Sequence, residues 1–319
     1  MRIPAAILLV LAWDLSYLGA QQPPAPPPDP FAAAPAPAPP LPPLTDMGQA
    51  LEALDQGKAA SLKDVPFEGL LEFHKAAEGK TYASITLGYK TDAISRLAGA
   101  DAKPQLFALL RSTAPEGKRY DFILDTDFAD SGAGAPAGMR VMQTGSAVEP
   151  GPYRLSMGVW LPGRNLAGGR AEEVSVPNFN GAALDLSSIT LAAAVERAAG
   201  ASAELKYPFI WGNFKVVPQL GGALKRPQPL RLYYQIYNAS ADPASGKPRL
   251  DLTYTFFQKK SGKYVQAAPP QPIPNQSQQV AIYELPLDAW PAGEFKVMVQ
   301  VRDAVSKTTA SRELFFELR

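Results

Sequence analysis

The chain has 319 residues, enough for about two domains of roughly 150 residues each. It contains 33 prolines and 25 glycines against 19% charged residues, which is typical of a loop-rich chain and excludes a long helical bundle. A net charge of +1 argues against a nucleic-acid-binding protein. The absence of cysteine excludes disulfide scaffolds, zinc ribbons, iron–sulfur sites and thiol nucleophiles. With His74 as the single histidine, neither a catalytic residue nor a cofactor is predicted.

The N-terminus has the pattern of a secretory signal peptide over residues 1–20. Arg2 supplies a positive charge, residues 3–13 form an almost uniformly apolar run, and Ala20 is a small residue suited to cleavage. Asp14 and the large Leu18 depart from this pattern. An uncleaved anchor is the alternative, but the apolar run is shorter than the ~20 residues that span a bilayer. We therefore expect an extracytoplasmic protein (periplasmic, surface-bound or secreted) with no membrane span after cleavage.

A proline-rich segment follows at residues 21–44. Twelve of the 23 residues from Gln21 to Pro43 are proline, and alanine fills most of the rest. Proline lacks the backbone donor that helices and sheets need, so this segment is predicted to be a disordered, semi-rigid spacer.

A short helix is predicted at residues 45–58. Asp46, with Thr45, offers an N-cap, Leu51 and Leu54 form an apolar stripe, and Gly57 provides a stop.

From about residue 60, apolar residues recur at every second position instead of at helical spacing. This pattern predicts strands with one buried face. Turn-forming stretches separate these runs, with no long helix between them, and this favours antiparallel β-sandwiches. The alternating apolar positions are Ala83, Ile85, Leu87 and Tyr89; Tyr153, Leu155, Met157, Val159 and Leu161; Leu232, Tyr234 and Ile236; Leu252, Tyr254 and Phe256; Phe295, Val297, Val299 and Val301; and Leu314, Phe316 and Leu318.

Two segments match each other at a fixed offset of 142 residues. Residues 148–153 align with residues 290–295, and the alternating strand that follows continues in register. Without a gap, Val174 and Val176 then align with Phe316 and Leu318. One offset shared by a turn and two strands predicts a duplicated hairpin, and hence two similar sandwiches in tandem.

Each copy begins with a glycine followed two residues later by an aromatic residue. Glycine allows a sharp turn into the strand, and the ring that follows closes the end of the sandwich. Tyr153 is expected to bond back to the backbone as in a tyrosine corner. Phe295 lacks the hydroxyl, so the second copy is expected to keep the packing alone.

Residues 150–155, 168–170 and 174–179 resemble the immunoglobulin-like segments at the C-terminal ends of exported bacterial proteins. Those segments often accompany von Willebrand factor A-type modules or regions named for a GWxTD motif, and the similarity continues through residues 186–192 and 208–212. The chain has no GWxTD, and Asp185 begins an Asp-x-Ser-x-Ser pattern that fails at its last position. The resemblance implies an extracytoplasmic scaffold or adhesion-like role, without a catalytic residue to carry over.

The predicted fold class is therefore all-β, with two tandem immunoglobulin-like antiparallel sandwiches. We expect the first at residues 59–192, a linker at 193–207 and the second at 208–319. Residues 188–199 are compatible with a helix, given their alanines, or with a strand followed by a loop or short helix. We favour a strand for residues 188–191.

Three aromatic residues are candidates for ligand contact. Alternation places Trp160 on the face opposite Tyr153, so its ring is expected outside the sandwich unless another layer covers it. Trp211 and Tyr233 raise the same question in the second half. An exposed ring at any of these positions would stack on a sugar or on another protein.

Four carboxylates lie within ten residues, at Asp121, Asp125, Asp127 and Asp130. Calcium sites in sandwich loops use such ligands, but this spacing departs from the calcium-loop motif, so a solvated strand end is favoured and no metal site is predicted. His74 is expected at the surface or rim of the first strand, without a catalytic role.

Two hypotheses of function follow. The first is a non-catalytic exported structural or protein-interaction module, in which two immunoglobulin-like domains on a proline-rich stalk bind another exported or cell-envelope protein. The second is a carbohydrate-binding accessory module that uses Trp160 or Trp211 as a stacking platform. A coplanar pair of exposed aromatic rings on one sheet face would favour the second.

Overall fold

Strands dominate the computed structural model, which describes residues 44–115, 117–123, 129–130, 134–198, 209–211 and 213–319. The predicted signal peptide and almost all of the proline-rich segment lie outside the described residues.

The first half of the chain contains two helices and nine strands within the described residues. They are α1 (Met47–Asp55), β1 (Ser61–Lys63), β2 (Glu68–Lys75), β3 (Thr81–Lys90), α2 (Thr91–Ala98), β4 (Gln105–Ser112), β5 (Arg119–Ile123), β6 (Ala129–Asp130), β7 (Met139–Val148), β8 (Gly151–Leu161) and β9 (Leu166–Val176).

The second half contains the remaining strands and one short 3-10 helix, Leu220–Gly222. The strands are β10 (Asp185–Leu186), β11 (Thr190–Arg197), β12 (Ile210–Trp211), β13 (Phe214–Pro218), β14 (Ala223–Leu224), β15 (Leu230–Tyr237), β16 (Leu250–Lys260), β17 (Lys263–Gln266), β18 (Gln271–Gln276), β19 (Val280–Leu285), β20 (Gly293–Asp303) and β21 (Thr309–Leu318).

These strands form four sheets, which pack as two sandwiches and confirm the predicted all-β class. Sheet 1 has the order β1-β9-β8-β4-β5, and sheet 2 has the order β2-β3-β7-β6. Sheet 3 has the order β10-β15-β11-β13-β12, with β19 on β15. Sheet 4 has the order β14-β21-β20-β16-β17, with β18 on β16. The alternating apolar residues fill one core between sheets 1 and 2 and another between sheets 3 and 4.

The duplicated hairpin predicted from the sequence is present. β8 pairs with β9 so that Gly151 lies opposite Val176, and β20 pairs with β21 so that Gly293 lies opposite Leu318. Both glycines have a positive φ, 144° and 142°, which a residue with a side chain rarely adopts. The two hairpins therefore share one backbone design at the predicted offset.

The predicted short helix is also present, as α1. The Asp46 side chain accepts a hydrogen bond from the Gln49 amide and caps the helix, as the sequence indicated. Leu51 and Leu54 are buried against the outer face of sheet 1. The helix thus adds a layer to the first sandwich.

The boundary between the two sandwiches differs from the one expected at residue 192. β10 and β11, which span residues 185–197, both pair with β15 of the second sandwich. Of the strand favoured for residues 188–191, only Thr190 and Leu191 are in a strand, and this strand continues to Arg197 where a loop or short helix was expected. Pairing with β13, from Ala192 opposite Pro218 to Arg197 opposite Phe214, extends this strand.

The two sandwiches also contact each other through sheets 2 and 3. Small apolar clusters lie between these sheets, around Val141 and Val217 and around Tyr82 and Trp211. None of the described helices is long and apolar enough to cross a bilayer.

Candidate functional site

Trp160 does not lie on an exposed face. Its side chain is 3% exposed, and it packs with Leu51 and Leu54 of α1 and with Phe107 of β4. The helix that follows the proline-rich segment therefore covers this face of sheet 1. Trp160 lies on the outer face of sheet 1, as alternation predicts, and the covering layer named as the exception is α1.

Trp211 and Tyr233 are buried as well, at 2% and 0% exposure. Both lie in the contact between sheets 2 and 3, where the Tyr233 hydroxyl donates to the Trp211 carbonyl at 3.4 Å. Burial raises the pKa of Tyr233 to about 12, so its hydroxyl stays protonated. All three candidate rings are thus covered by protein in this structure.

His74, expected at the surface, is fully buried and stacks on Trp211. The ring centroids are 3.8 Å apart and the planes differ by 22°. Neither ring nitrogen has a hydrogen-bond partner among the described residues. Burial lowers the pKa of His74 to about 3, so the imidazole is neutral. The sequence prediction is wrong because the second sandwich covers the outer face of β2.

Glu72 is the second ionisable group on this face of β2. It is 2% exposed, and one carboxyl oxygen accepts a hydrogen bond from the Thr190 hydroxyl of β11 at 2.5 Å. The other oxygen, Oε2, has no partner among the described residues. Burial raises the pKa of Glu72 to about 7, which the hydrogen bond from Thr190 only partly opposes.

A groove of about 490 Å³ opens beside Glu72 at the edge of this contact. Leu70 and Leu71 line it together with Glu72, and the opposite wall comes from β21. We call this the β2–β21 groove. Its full lining is Leu70, Leu71, Glu72, Ser188, Ile189, Met298, Ser311, Arg312 and Glu313.

A separate apolar surface lies on the outer face of sheet 4. Phe257, Lys296 and Phe315 are neighbours across β16, β20 and β21, and Tyr264 of β17 joins them. Phe315 is 54% exposed. The Lys296 ammonium lies 4.9 Å from the centre of the Phe257 ring and 5.6 Å from that of Tyr264. We call these four residues the aromatic face.

The four carboxylates considered for calcium are only partly described. Asp121 is exposed and accepts hydrogen bonds from Arg119, at 2.7 and 2.9 Å. Asp125 and Asp127 lie outside the described residues, as does the side chain of Asp130. Within the part of the chain that is described, no group of acidic or histidine residues is arranged to hold a metal ion.

Sequence reasoning did not identify Glu72 or the aromatic face. Glu72 and His74 alternate with Leu71 and Phe73, which is the pattern of an ordinary strand with one solvent-exposed face. The one signal for burial is the run of small or uncharged polar residues on neighbouring β3, where Ser84 lies opposite Glu72. Such a face suits contact with another sheet better than contact with water alone.

No protein-family model matches this chain, and no curated protein matches it. It is similar to an alpha-2-macroglobulin from Salmonella, with 10% identity and a TM-score of 0.31 over 82% of this chain and 25% of that chain. It is also similar to a DUF4785 family protein from Legionella pneumophila, with 10% identity and a TM-score of 0.22 over 75% of this chain and 52% of that chain.

A third similar structure is the chicken interferon gamma receptor alpha chain, with 8% identity and a TM-score of 0.21. The match covers 79% of this chain and 98% of that chain. Scores this low carry no argument about function, and the fold assignment rests on the strand pairing described above.

Proposed function

We propose that this protein is an exported, non-catalytic interaction module, in which two immunoglobulin-like sandwiches on a proline-rich stalk bind another exported or cell-envelope protein. The aromatic face carries this proposal. A phenylalanine that is 54% exposed, beside two further aromatic rings and a lysine, is a surface suited to a protein partner.

The geometry of the aromatic face favours a protein over a sugar. Stacking on a sugar ring favours flat, coplanar aromatic side chains, whereas the Tyr264 and Phe315 planes differ by 65° at a centroid distance of 5.6 Å. Trp160 and Trp211, the rings first considered for carbohydrate, are buried. The described residues therefore favour the first of the two hypotheses.

Export is the second part of the proposal, supported by the apolar run and the small residue at Ala20. The intact mass of protein recovered from the culture medium or the envelope fraction tests it. We expect a chain that begins at Gln21; a chain that retains residues 1–20 would contradict cleavage.

Site-specific photo-cross-linking tests the interaction. A benzoylphenylalanine at position 315 of the full chain, expressed in its native cells, should give one dominant adduct with an envelope or secreted protein. The same probe at Ser245, an exposed turn residue of the same half, is the matched control and should give no such adduct.

Competition shows whether the native surface is responsible. Purified wild-type protein should suppress the adduct, whereas the Phe315→Asp variant should not, because a carboxylate in the aromatic face opposes apolar contact. Identical adducts from positions 315 and 245, or equal suppression by both competitors, would overturn the proposal.

A further inference from the structure

We propose that the outer edge of β19 binds an extended segment of a partner protein, which adds to sheet 3 as an antiparallel strand and places an acidic side chain beside Lys75. This inference rests on the proposed role as an interaction module and specifies the chemistry of a partner. It concerns sheet 3, whereas the aromatic face lies on sheet 4, so the two surfaces are tested separately.

The first argument is the free edge of β19. This strand pairs with β15 on one side, where the Gln279 carbonyl accepts a hydrogen bond from the Ile236 amide at 2.7 Å. Because backbone groups alternate along a strand, the amides and carbonyls of Val280, Ile282 and Glu284 point away from β15. These groups have no hydrogen-bond partner among the described residues. An added strand would therefore meet a row of free donors and acceptors.

The sequence of β19 lacks the features that usually protect an edge strand. Proline, lysine, a bulge or a very short length commonly serves this purpose. β18 contains Pro272 and Pro274, and β17 has only four residues, one of which is Lys263. β19 has six residues without proline, lysine or a shift in register, and the Ile282 side chain is 43% exposed. Such a strand suits pairing with another strand.

The edge of β2, by comparison, is occupied. The Phe73 amide donates to the Ser188 hydroxyl, and the Phe73 carbonyl accepts from the Ser188 amide, both at 2.9 Å. The Lys75 amide donates to the Tyr237 hydroxyl at 3.0 Å. Contacts between the two sandwiches thus use the backbone groups of β2, whereas those of β19 are left for a partner.

The second argument is an ammonium group in a groove at the start of β19. The groove has a volume of about 340 Å³, and Val280 lines it together with Gln235, Asn238 and Lys75. The Lys75 ammonium donates to the neutral Asn238 side chain at 2.8 Å and has no carboxylate partner among the described residues. Paired residues of neighbouring strands direct their side chains to the same face. A carboxylate opposite Val280 would therefore lie on the face that carries this groove and pair with Lys75.

The other two free positions of β19 indicate the rest of the segment. Glu284 already pairs with Arg231 at 2.8 Å, so the residue opposite Glu284 needs no charge. Ile282 favours a β-branched apolar residue opposite it. In an antiparallel strand, the segment therefore has an apolar residue followed two positions later by an acidic one.

Amide NMR of the full mature chain tests the proposal, with the acetylated peptide amide Thr-Thr-Ile-Thr-Glu-Thr as the probe. Its isoleucine is designed to lie opposite Ile282 and its glutamate opposite Val280. We expect saturable shifts at Val280, Ile282 and Glu284. A peptide with lysine in place of the glutamate should bind about tenfold more weakly, because repulsion replaces a charge-assisted hydrogen bond to Lys75.

Two N-methylated forms of the probe distinguish strand addition from other contacts. Methyl groups on the isoleucine and glutamate nitrogens remove the amides that would bond to β19, so this peptide should not bind. Methyl groups on the nitrogens of the second and fourth residues replace amides that point away from β19. This matched peptide should bind with an affinity similar to that of the probe.

The Lys75→Gln variant tests the charge, since glutamine keeps a donor for Asn238 without the ammonium group. It should bind the probe about tenfold more weakly and no longer distinguish the probe from the lysine peptide. Lys263→Gln, at an exposed residue of sheet 4, is the matched control and should leave binding unchanged. If Lys75→Gln does not fold, the comparison among the peptides decides the question with wild-type protein.

Three results would overturn the inference: no saturable shift at Ile282, equal binding of the probe and the lysine peptide to wild-type protein, or equal behaviour of the two methylated peptides. Shifts at the same residues on raising the protein concentration alone would also overturn it, because they would make a second copy the occupant. A negative result here leaves the cross-link at position 315 unaffected. Loss of that cross-link would instead count against the interaction role itself.

Discussion

The hairpins β8–β9 and β20–β21 have the same backbone design but different surroundings. The two hairpins lie 142 positions apart in the chain. Each begins at a glycine of positive φ, and both have the same pairing register. Yet α1 packs against the outer face of the first hairpin, whereas the outer face of the second carries the half-exposed Phe315. One repeated scaffold thus carries a covered outer face in one half and an exposed aromatic face in the other.

Glycines account for much of this difference. A Cβ added at Gly168 would lie 1.8 Å from the Val65 carbonyl oxygen, and one at Gly169 would lie 2.6 Å from Leu54 of α1. A Cβ at Gly158 would lie 2.2 Å from the Gly168 carbonyl oxygen. The first hairpin therefore needs glycine where other segments approach it closely. The corresponding residues of the second hairpin all carry side chains: Gln300, Ala310 and Ser311.

The largest expected effect concerns the paired aromatic residues that begin each hairpin. Phe295→Ala and Tyr153→Ala should each lower the free energy of unfolding by about 3–5 kcal/mol, the cost of removing a buried aromatic ring. Phe295 is fully buried and stacks on Phe316, with centroids 5.4 Å apart. Tyr153 is 2% exposed, so its ring is buried as well.

Urea unfolding of the full chain measures both changes. Phe315→Ala is the control, because this exposed ring on β21 should cost no more than about 0.5 kcal/mol. Losses below about 1 kcal/mol for both core variants would show that these rings do not close the sandwiches in the same way.

The next effect concerns the other face of the first sandwich, where Glu72 is buried under sheet 3. Its pKa is raised from 4.5 to about 7, so the folded state holds a proton that the unfolded state loses. The stability from this group is complete below about pH 4.5 and is lost as the pH rises to about 7, by up to about 3 kcal/mol. Unfolding free energies across this range, compared with Glu72→Gln, measure the change.

His74 changes stability in the opposite sense. Burial lowers its pKa from 6.5 to about 3, so its contribution is complete above about pH 6.5 and is lost as the pH falls towards 3. The Glu72→Gln variant should therefore lose stability only on the acid side. If the free energy of unfolding varied with pH in the same way for the wild type and the variant, Glu72 would not be buried in solution.

The smallest effect tests why α1 covers one hairpin and not the other. Gly169→Ala should destabilise the protein by about 1–3 kcal/mol, because the new methyl group meets the buried Leu54 and overpacks the contact. Ser311→Ala, at the corresponding position of the second hairpin, should change stability by less than about 0.5 kcal/mol. Thermal melts compare the two, and equal effects would mean that the helix does not set the requirement for glycine.

The sequence predicted features whose cause is local. The all-β class, the helix capped by Asp46 and the duplicated hairpin all follow from patterns within a few residues or from one repeated spacing. Alternation along a strand separates its two faces, because successive side chains point in opposite directions. Tyr153 and Phe295 were assigned to the core on this ground, and both are buried.

Only the tertiary structure decided what covers each outer face. Alternation assigned Trp160 to an outer face, and His74 was expected at the surface or rim of its strand. However, α1 covers Trp160, and the second sandwich covers His74. Phe315 is on an outer face by the same pattern and stays exposed. Alternation along a strand predicts which face of its own sheet a residue occupies. The exposure of that residue depends on segments that are distant in sequence. The composition of one strand does not encode that packing.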